Sequence, residues 1–284
     1  MADPLPVCHL NGSLLPLREA RISPLDRSFL FGDGVYEVIA ARRGRAKRLA
    51  AHLARLTRSL DAIRMRNPHD DPQWRQLIEA LIEANGAGDQ YVYLQVSRGA
   101  EFGRNHAPLP LIEPTVFAFC TPLPITSAET LERGIACITR SDTRWARCDI
   151  KTVSLLANVL LRQEGIDAGA AETILLRSGF LTDASSSTIY VVDSGRLCAP
   201  PNSNRLLPGT TRSLVEELAD AHGIPHASVP VSEAQLRSSE EVWLSAATRG
   251  VIAVTSLDGR PVGDGRPGPL WRRMHELIEA WWAA

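Results

Sequence analysis

Lysine and arginine carry positive charge equally well. Only lysine readily sheds its proton and condenses with an aldehyde to form a Schiff base. This chain has two lysines, Lys47 and Lys151, against twenty-nine arginines. Lys151 sits in RWARCDIKTVSLLANVLLRQEG, where a basic, aromatic approach runs into an amphipathic stretch. It is a candidate nucleophile, although two lysines left by chance would look the same.

Five further motifs carry candidate chemistry, and each also has a plain structural reading. LLPGTTRSLVEELA reads as an anion cup. Gly209 permits unusual backbone angles, Thr210 and Thr211 supply hydroxyl and N–H donors, and a helix starts directly after. The N–H groups and dipole of a helix start favour a phosphate, but ordinary N-capping gives the same pattern. It is not a nucleotide P-loop, because GxxxxGK[ST] is absent. HLARL puts Arg55 one turn after His52 with no evident packing role or partner, and a guanidinium suits bidentate phosphate binding. RNH sets Arg104 near His106, which is either a trap for a carboxylate or a solvated loop. LTDASSST ends a strand on Asp183, which either pairs with a ring N–H⁺ or makes a polar turn. FGDGVYEV places Tyr36 at a strand start behind a glycine turn, as a donor to substrate or as a half-buried strand residue.

These residues need elements to hold them. With 284 residues, 44% of them hydrophobic, the chain suits two subdomains. We place a small N-terminal α/β unit at 1–120, a Pro-interrupted linker at 121–126 and a larger unit at 127–284. CHL–NG–SLLPL reads as a hairpin on an Asn-Gly turn. Helices are expected from His52 to about Arg64, from Pro72 to Ala84 and from Lys151 to Glu164, with a last one at the C-terminus. Strand meanders turn at Ser178-Gly179 and Ser194-Gly195. The fold class is mixed α/β (α+β), with largely antiparallel sheets and flanking helices.

A net charge of −1 argues against a nucleic-acid or anionic-membrane binder. No apolar run has membrane-helix length, and the N-terminus lacks a signal pattern, so a cytoplasmic location is expected. Five scattered cysteines without a CxxC pair point to neither disulfides nor a thiolate metal site. His222 and His226 have metal-pair spacing, but Gly223 and Pro225 interrupt any helix. No metal is expected.

An amine for an aldehyde, a cup and a guanidinium for a phosphate, and an acid for a ring nitrogen together describe pyridoxal 5′-phosphate. The order and wording of FGDGVYEV, HLARL, YLQVSRG, RNH, RWARCDIK, LTDASSST and LPGTTR resemble the class IV, fold-type IV aminotransferases. Within these they are most like the D-amino-acid transaminases. The resemblance implies that Lys151 is the Schiff-base lysine and proton shuttle. It implies that Arg55, Gly209, Thr210 and Thr211 take the phosphate, with Ala247 and Thr248 contributing, and that Leu207 packs on the ring face. Asp183 would meet the ring nitrogen, and Ser186 would lie near the cofactor. Tyr36, Arg104 and His106 would hold the substrate carboxylate, the last two across a homodimer interface.

The chain departs from the family pattern at several of these positions. Asp183 stands where Glu is usual, Ala184 replaces Gly, Thr188 replaces Asn, and Ala247 replaces a threonine. The loop before Arg104 is one residue longer than usual. The expected activity moves the amino group of a D-amino acid such as D-alanine or D-glutamate to a 2-oxo acid such as 2-oxoglutarate. Alternatives on the same fold are a branched-chain L-amino-acid transaminase, an (R)-amine transaminase and an aminodeoxychorismate lyase. A non-catalytic cofactor binder is a further alternative.

Overall fold

The computed structural model describes residues 2–283. The chain divides into two compact units, one of Met1–Pro124 with Ile150–Leu155, the other of Ile125–Asp149 with Leu156–Ala284. The six residues Ile150–Leu155, Lys151 among them, therefore belong with the first unit.

The first unit contains β1 (Val7–Leu10), β2 (Ser13–Pro16), α1 (Arg27–Phe31), β3 (Gly34–Arg42), β4 (Arg45–Ala46), α2 (Leu49–Ala62), α3 (Asp71–Ala84), β5 (Gln90–Ser97) and β6 (Thr115–Pro122). Its antiparallel sheet has the order β2-β1-β6-β5-β3-β4. The expected Asn11-Gly12 hairpin forms, with both residues at positive φ (47° and 90°), as a turn of this hand requires. Alternation along β3 and β5 turns Val35, Ile39, Val92, Leu94 and Val96 into the core. There Leu53, Leu56 and Leu60 of α2 and Trp74, Ile78 and Leu81 of α3 meet them. α3 starts on a capping box between Asp70 and Gln73, with Pro72 in its first turn.

The second unit contains α4 (Ala128–Arg133), β7 (Ile135–Ser141), α5 (Leu156–Asp167), β8 (Glu172–Arg177), β9 (Phe180–Ala184), β10 (Thr188–Asp193), β11 (Arg196–Ala199), α6 (Thr210–Ala221), β12 (His226–Ser228), α7 (Glu233–Ser238), β13 (Glu241–Ala246), β14 (Gly250–Leu257), β15 (Arg260–Pro261) and α8 (Pro269–Ala283). The sheet order is β12-β11-β10-β13-β14-β7-β8-β9, with β15 on β14. It is mixed: β7 runs parallel to both β14 and β8, and β11 to β12. Ile189, Val191, Val242, Leu244, Ile252 and Val254 form its core. Trp271, Met274 and Ile278 on α8 are buried as well.

The expected helix from Lys151 to Glu164 is a correction. The helix starts at Leu156, and Lys151 lies in extended chain before it. The apolar period of TVSLLANVLL does not distinguish a helix from an approach segment that pairs with a strand. Among the described residues, no helix is long and apolar enough to cross a membrane.

Candidate active site

In the first unit the segment holding Lys151 hydrogen-bonds along the start of β3. Tyr36 N donates to Lys151 O (2.9 Å), and Val153 N and Thr152 Oγ1 both donate to Gly34 O (3.1 Å each). Lys151 N donates to Ser59 Oγ on α2 (3.2 Å). The glycines of FGDGV permit this pairing. Gly32 caps α1 in the left-handed region (φ 66°), and a side chain there would meet Ser154 Oγ. A Cβ on Gly34 would stand 2.9 Å from Val96 O. The result fixes Lys151 Nζ 4.1 Å from the centroid of the Tyr36 ring, a cation–π distance.

Behind Tyr36, β3 turns its next side chain, Glu37, to the opposite face, where it is fully buried. Arg55 Nε and Nη2 donate to its two oxygens at 2.7 Å each, and His52 Nδ1 lies 2.7 Å from Oε2. Arg55 is thus paired, and the reading that it has no evident partner is corrected. The pair uses one edge of the guanidinium. Burial alone would raise the Glu37 carboxyl. The charge and hydrogen bonds of Arg55, with those of His52, outweigh burial and pull it down to about 2. Burial likewise lowers His52, against the pull of Glu37, and the charges of Arg55 and Lys151 add to the lowering. Sequence reasoning missed Glu37. The available signal was an acid inside an otherwise apolar strand, GVYEVIAA, opposite a helix with His and Arg one turn apart.

Arg104 and His106 are exposed on the loop between β5 and β6. Both lean on Phe31 of α1: the Arg104 guanidinium lies 5.0 Å and the His106 ring 5.4 Å from the centroid of its ring.

In the second unit Asp183, near the end of β9, is buried. It accepts from Arg144 Nη1 (3.2 Å), and Leu207 N is 3.5 Å away. Arg144 is mainly committed elsewhere, donating from Nε and Nη2 to the two oxygens of Asp142 (3.0 and 3.1 Å). Asp142 also accepts from Thr182 Oγ1 (2.8 Å) and pairs with Arg177 (3.0 Å). Burial pushes Asp183 up to about 6, and its partial share of Arg144 only moderates the rise.

Gly209 precedes α6 with ordinary angles (φ −74°, ψ 130°), so unusual backbone geometry is not its purpose. Space is the reason for glycine: a Cβ would come within 2.9 Å of Thr188 Oγ1 and 3.1 Å of Arg212 Cβ. With no side chain, Gly209 cannot cap the helix as Ser or Asp would. Thr210 is buried in the first turn and Thr211 is partly exposed. Thr188 pairs in register with Ser245 of β13. β13 runs into a turn of Ala247, Thr248 and exposed Arg249 that closes on Gly250 (φ 63°). Thr188 thus lies between the α6 start and the end of β13 that leads into the 247–249 turn. The Ser186 hydroxyl donates to buried Glu172 (2.8 Å), which also accepts from Ser185 and Ser187. Among the described residues, no group of three or more His, Cys, Asp or Glu is placed to hold a metal.

The model of the amino-transferase class IV family matches residues 34–257. The chain is 35% identical to the D-alanine aminotransferase of Bacillus licheniformis over 269 residues, 95% of this chain and 94% of that protein. The Escherichia coli branched-chain amino acid aminotransferase shares the fold with a TM-score of 0.92 at 24% identity, covering 99% of this chain and 94% of that one. The PLP-bound form of a hypothetical aminotransferase from Mycobacterium tuberculosis gives a TM-score of 0.85 at 27% identity, covering 96% of this chain and 98% of that one. The chain belongs to the class IV aminotransferases, as the motifs around Lys151 led us to expect, and it has their mixed α/β architecture.

Proposed function

We propose that this aminotransferase moves the amino group of a D-amino acid to a 2-oxo acid, with pyridoxal 5′-phosphate as its cofactor and Lys151 as its attachment point. The observation that carries the reading is the placement of Lys151. The one lysine in the motif is strung along β3 with its amine over Tyr36, and the next β3 residue, Glu37, is buried against His52 and Arg55 of the adjoining α2. The preference for D-amino acids rests on the likeness to the D-alanine aminotransferase of Bacillus licheniformis and on the Arg104–His106 loop.

The donor set fits the cofactor. An amine serves the aldehyde, a helix start without a side-chain cap serves the phosphate, and a buried acid with only a partial share of its arginine serves the ring N–H⁺. When bound, the cofactor supplies an aldehyde that receives the amino group and a ring that takes up the electrons released at the substrate Cα. With the cofactor held there, Lys151 Nζ would be the group that takes the proton from the substrate Cα and returns it. Asp183 would accept from the ring nitrogen and hold its proton there. Arg55, Thr210 and Thr211, with Ala247 and Thr248, bind the phosphate. Leu207 would pack on the ring, with Ser186, which donates to Glu172, near it. Tyr36, Arg104 and His106 take the substrate carboxylate. The exposure of Arg104 and His106 suits a homodimer in which they serve a partner's site. Five free, buried cysteines suit a reducing compartment such as the cytoplasm.

Borohydride treatment of the cofactor-loaded protein, followed by peptide mapping, tests this reading. The reduced cofactor is expected on the Lys151 peptide, and Lys151→Ala should lose all amino transfer. A label on Lys47 alone would overturn the assignment. Assay of D-alanine against L-leucine and (R)-amines decides the substrate class, and activity on L-leucine alone would replace the D-amino-acid reading with the branched-chain one.

A further inference from the structure

The chain between β5 and β6 carries Arg104 and His106, and it has no helix or strand of its own beyond a single bridge from Ala100 to Asp26. Adjacent residues of opposite charge, Asp26 and Arg27, hold it in shape. The buried Asp26 carboxylate accepts from Ser97 Oγ (2.8 Å) and Thr115 Oγ1 (2.7 Å), one at each stem of the loop, and caps α1 through Ser28 N (2.8 Å). Arg27, 3% exposed, spans the loop itself. Its Nε donates to Asp33 (2.8 Å), and its Nη1 donates to the Glu101 carboxylate and to Asn105 O (2.6 Å). Its Nη2 donates to His106 O (2.9 Å). Glu101 in turn accepts from Leu109 N (3.1 Å), which ties down the far side. Arg27 also lies over Phe31 (4.7 Å), the ring on which Arg104 and His106 lean.

A loop with few backbone hydrogen bonds is ordinarily mobile. Here the donors of a buried arginine go to the carbonyls of Asn105 and His106, which follow Arg104 directly. We infer that Arg27 is a positioning residue for carboxylate recognition, holding the 99–109 loop so that Arg104 and His106 present their donors in one arrangement. The inference rests on the reading that these two residues take the substrate carboxylate. A lysine in its place keeps the charge but lacks the planar fork that reaches two carboxylates and two carbonyls at once.

The test compares the cofactor-loaded wild type with Arg27→Lys and Arg104→Ala, using D-alanine as substrate and hydrogen exchange of the loop amides as a direct readout. Arg27→Lys is expected to speed exchange at Leu109 and its neighbours about tenfold and to raise KM about tenfold, the worth of one well-placed hydrogen bond. The turnover number, the cofactor absorbance and exchange in α2 and α3 should stay unchanged. In the double variant with Arg104→Ala, the Arg27→Lys effect on KM should vanish. Unaltered exchange and KM in Arg27→Lys, with KM raised in Arg104→Ala, would overturn the inference and leave the carboxylate reading standing. An Arg104→Ala variant with normal KM would remove that reading and this inference together, whatever the exchange shows. If Arg27→Lys does not fold, Glu101→Gln reports the same changes at smaller size, and normal exchange and KM there would count equally against the inference.

Discussion

Glu37 in the first unit and Asp183 in the second are both buried beside an arginine, yet Glu37 is pulled down to about 2 while Asp183 is pushed up to about 6. Burial acts on both in the same direction. The difference lies in how the arginine is shared. Arg55 gives Glu37 two parallel hydrogen bonds, and His52 adds a third contact. Arg144 gives its parallel pair to Asp142 and only one longer contact to Asp183. A saturated carboxylate is a structural anchor. One left short of donors in a buried site has its strongest interaction still to make, and in the function proposed above a cationic ring nitrogen would be the partner. The contrast explains why two acid–arginine pairs belong to different roles.

Substitution of Glu37 gives the largest expected effect on stability. Glu37→Gln leaves Arg55 buried without its counter-charge, a loss of about 3–5 kcal/mol, or a fall in Tm of roughly 10 °C for a protein of this size. The sign with pH follows from the depressed pKa. The stabilisation is complete above the ordinary carboxyl value of 4.5 and is lost as pH falls towards about 2. The gap in stability between wild type and variant, measured by denaturant titration, should therefore close on acidification. A gap that does not change with pH would mean that Glu37 is not the anchor.

Asp183→Asn comes next and should act in the opposite sense on pH. In the cofactor-free protein the folded state holds the Asp183 proton more tightly than the unfolded chain does. Stability therefore falls as pH rises from about 4 to about 6, by at most about 3 kcal/mol. The variant should lack that slope. With cofactor, it loses a charge-assisted contact to the ring, worth about 1.5–3 kcal/mol, and turnover should fall roughly ten- to hundredfold. Equal turnover in wild type and variant would show that Asp183 does not serve the ring.

What the sequence disclosed of these two sites follows a physical rule. Residues that stay within one element were legible: Asn11-Gly12 sets a hairpin, Pro72 opens a helix, and leucines at helical spacing mark the buried face of α2. The candidate residues were legible too, because unusual side chains stand out in a line of text. Their partners were not. Glu37 meets Arg55 across eighteen residues and Asp183 meets Arg144 across thirty-nine, and neither spacing belongs to a helix or a strand. The start of α5 was misread for a related reason. Lys151–Leu155 has apolar residues at usable spacing, but its backbone donors and acceptors go to Gly34, Tyr36 and Ser59, and a strand partner is invisible in a local pattern. Gly209 was recognised for the wrong property, since its angles are ordinary and the crowding comes from Thr188, twenty-one residues away.

The smallest expected effect tests whether sharing of Arg144 sets the difference between the two acids. Thr182 Oγ1 donates to the Asp142 oxygen that also receives Arg144 Nη2 and Arg177. Thr182→Val removes that donor with little change of shape, at a cost of about 1 kcal/mol. Asp142 is then less satisfied and draws Arg144 more strongly, so Asp183 keeps a smaller share. Its pKa should move up from about 6, and the downward slope of stability in the cofactor-free protein should extend to higher pH by a fraction of a unit. Glu37 has no part in this network, and the acid limb of the stability profile, where Glu37 is lost, should stay where it is. A shift of both limbs together would mean that the substitution loosened the fold generally. A shift of the upper limb alone would confirm that competition between two acids for one guanidinium keeps Asp183 short of donors.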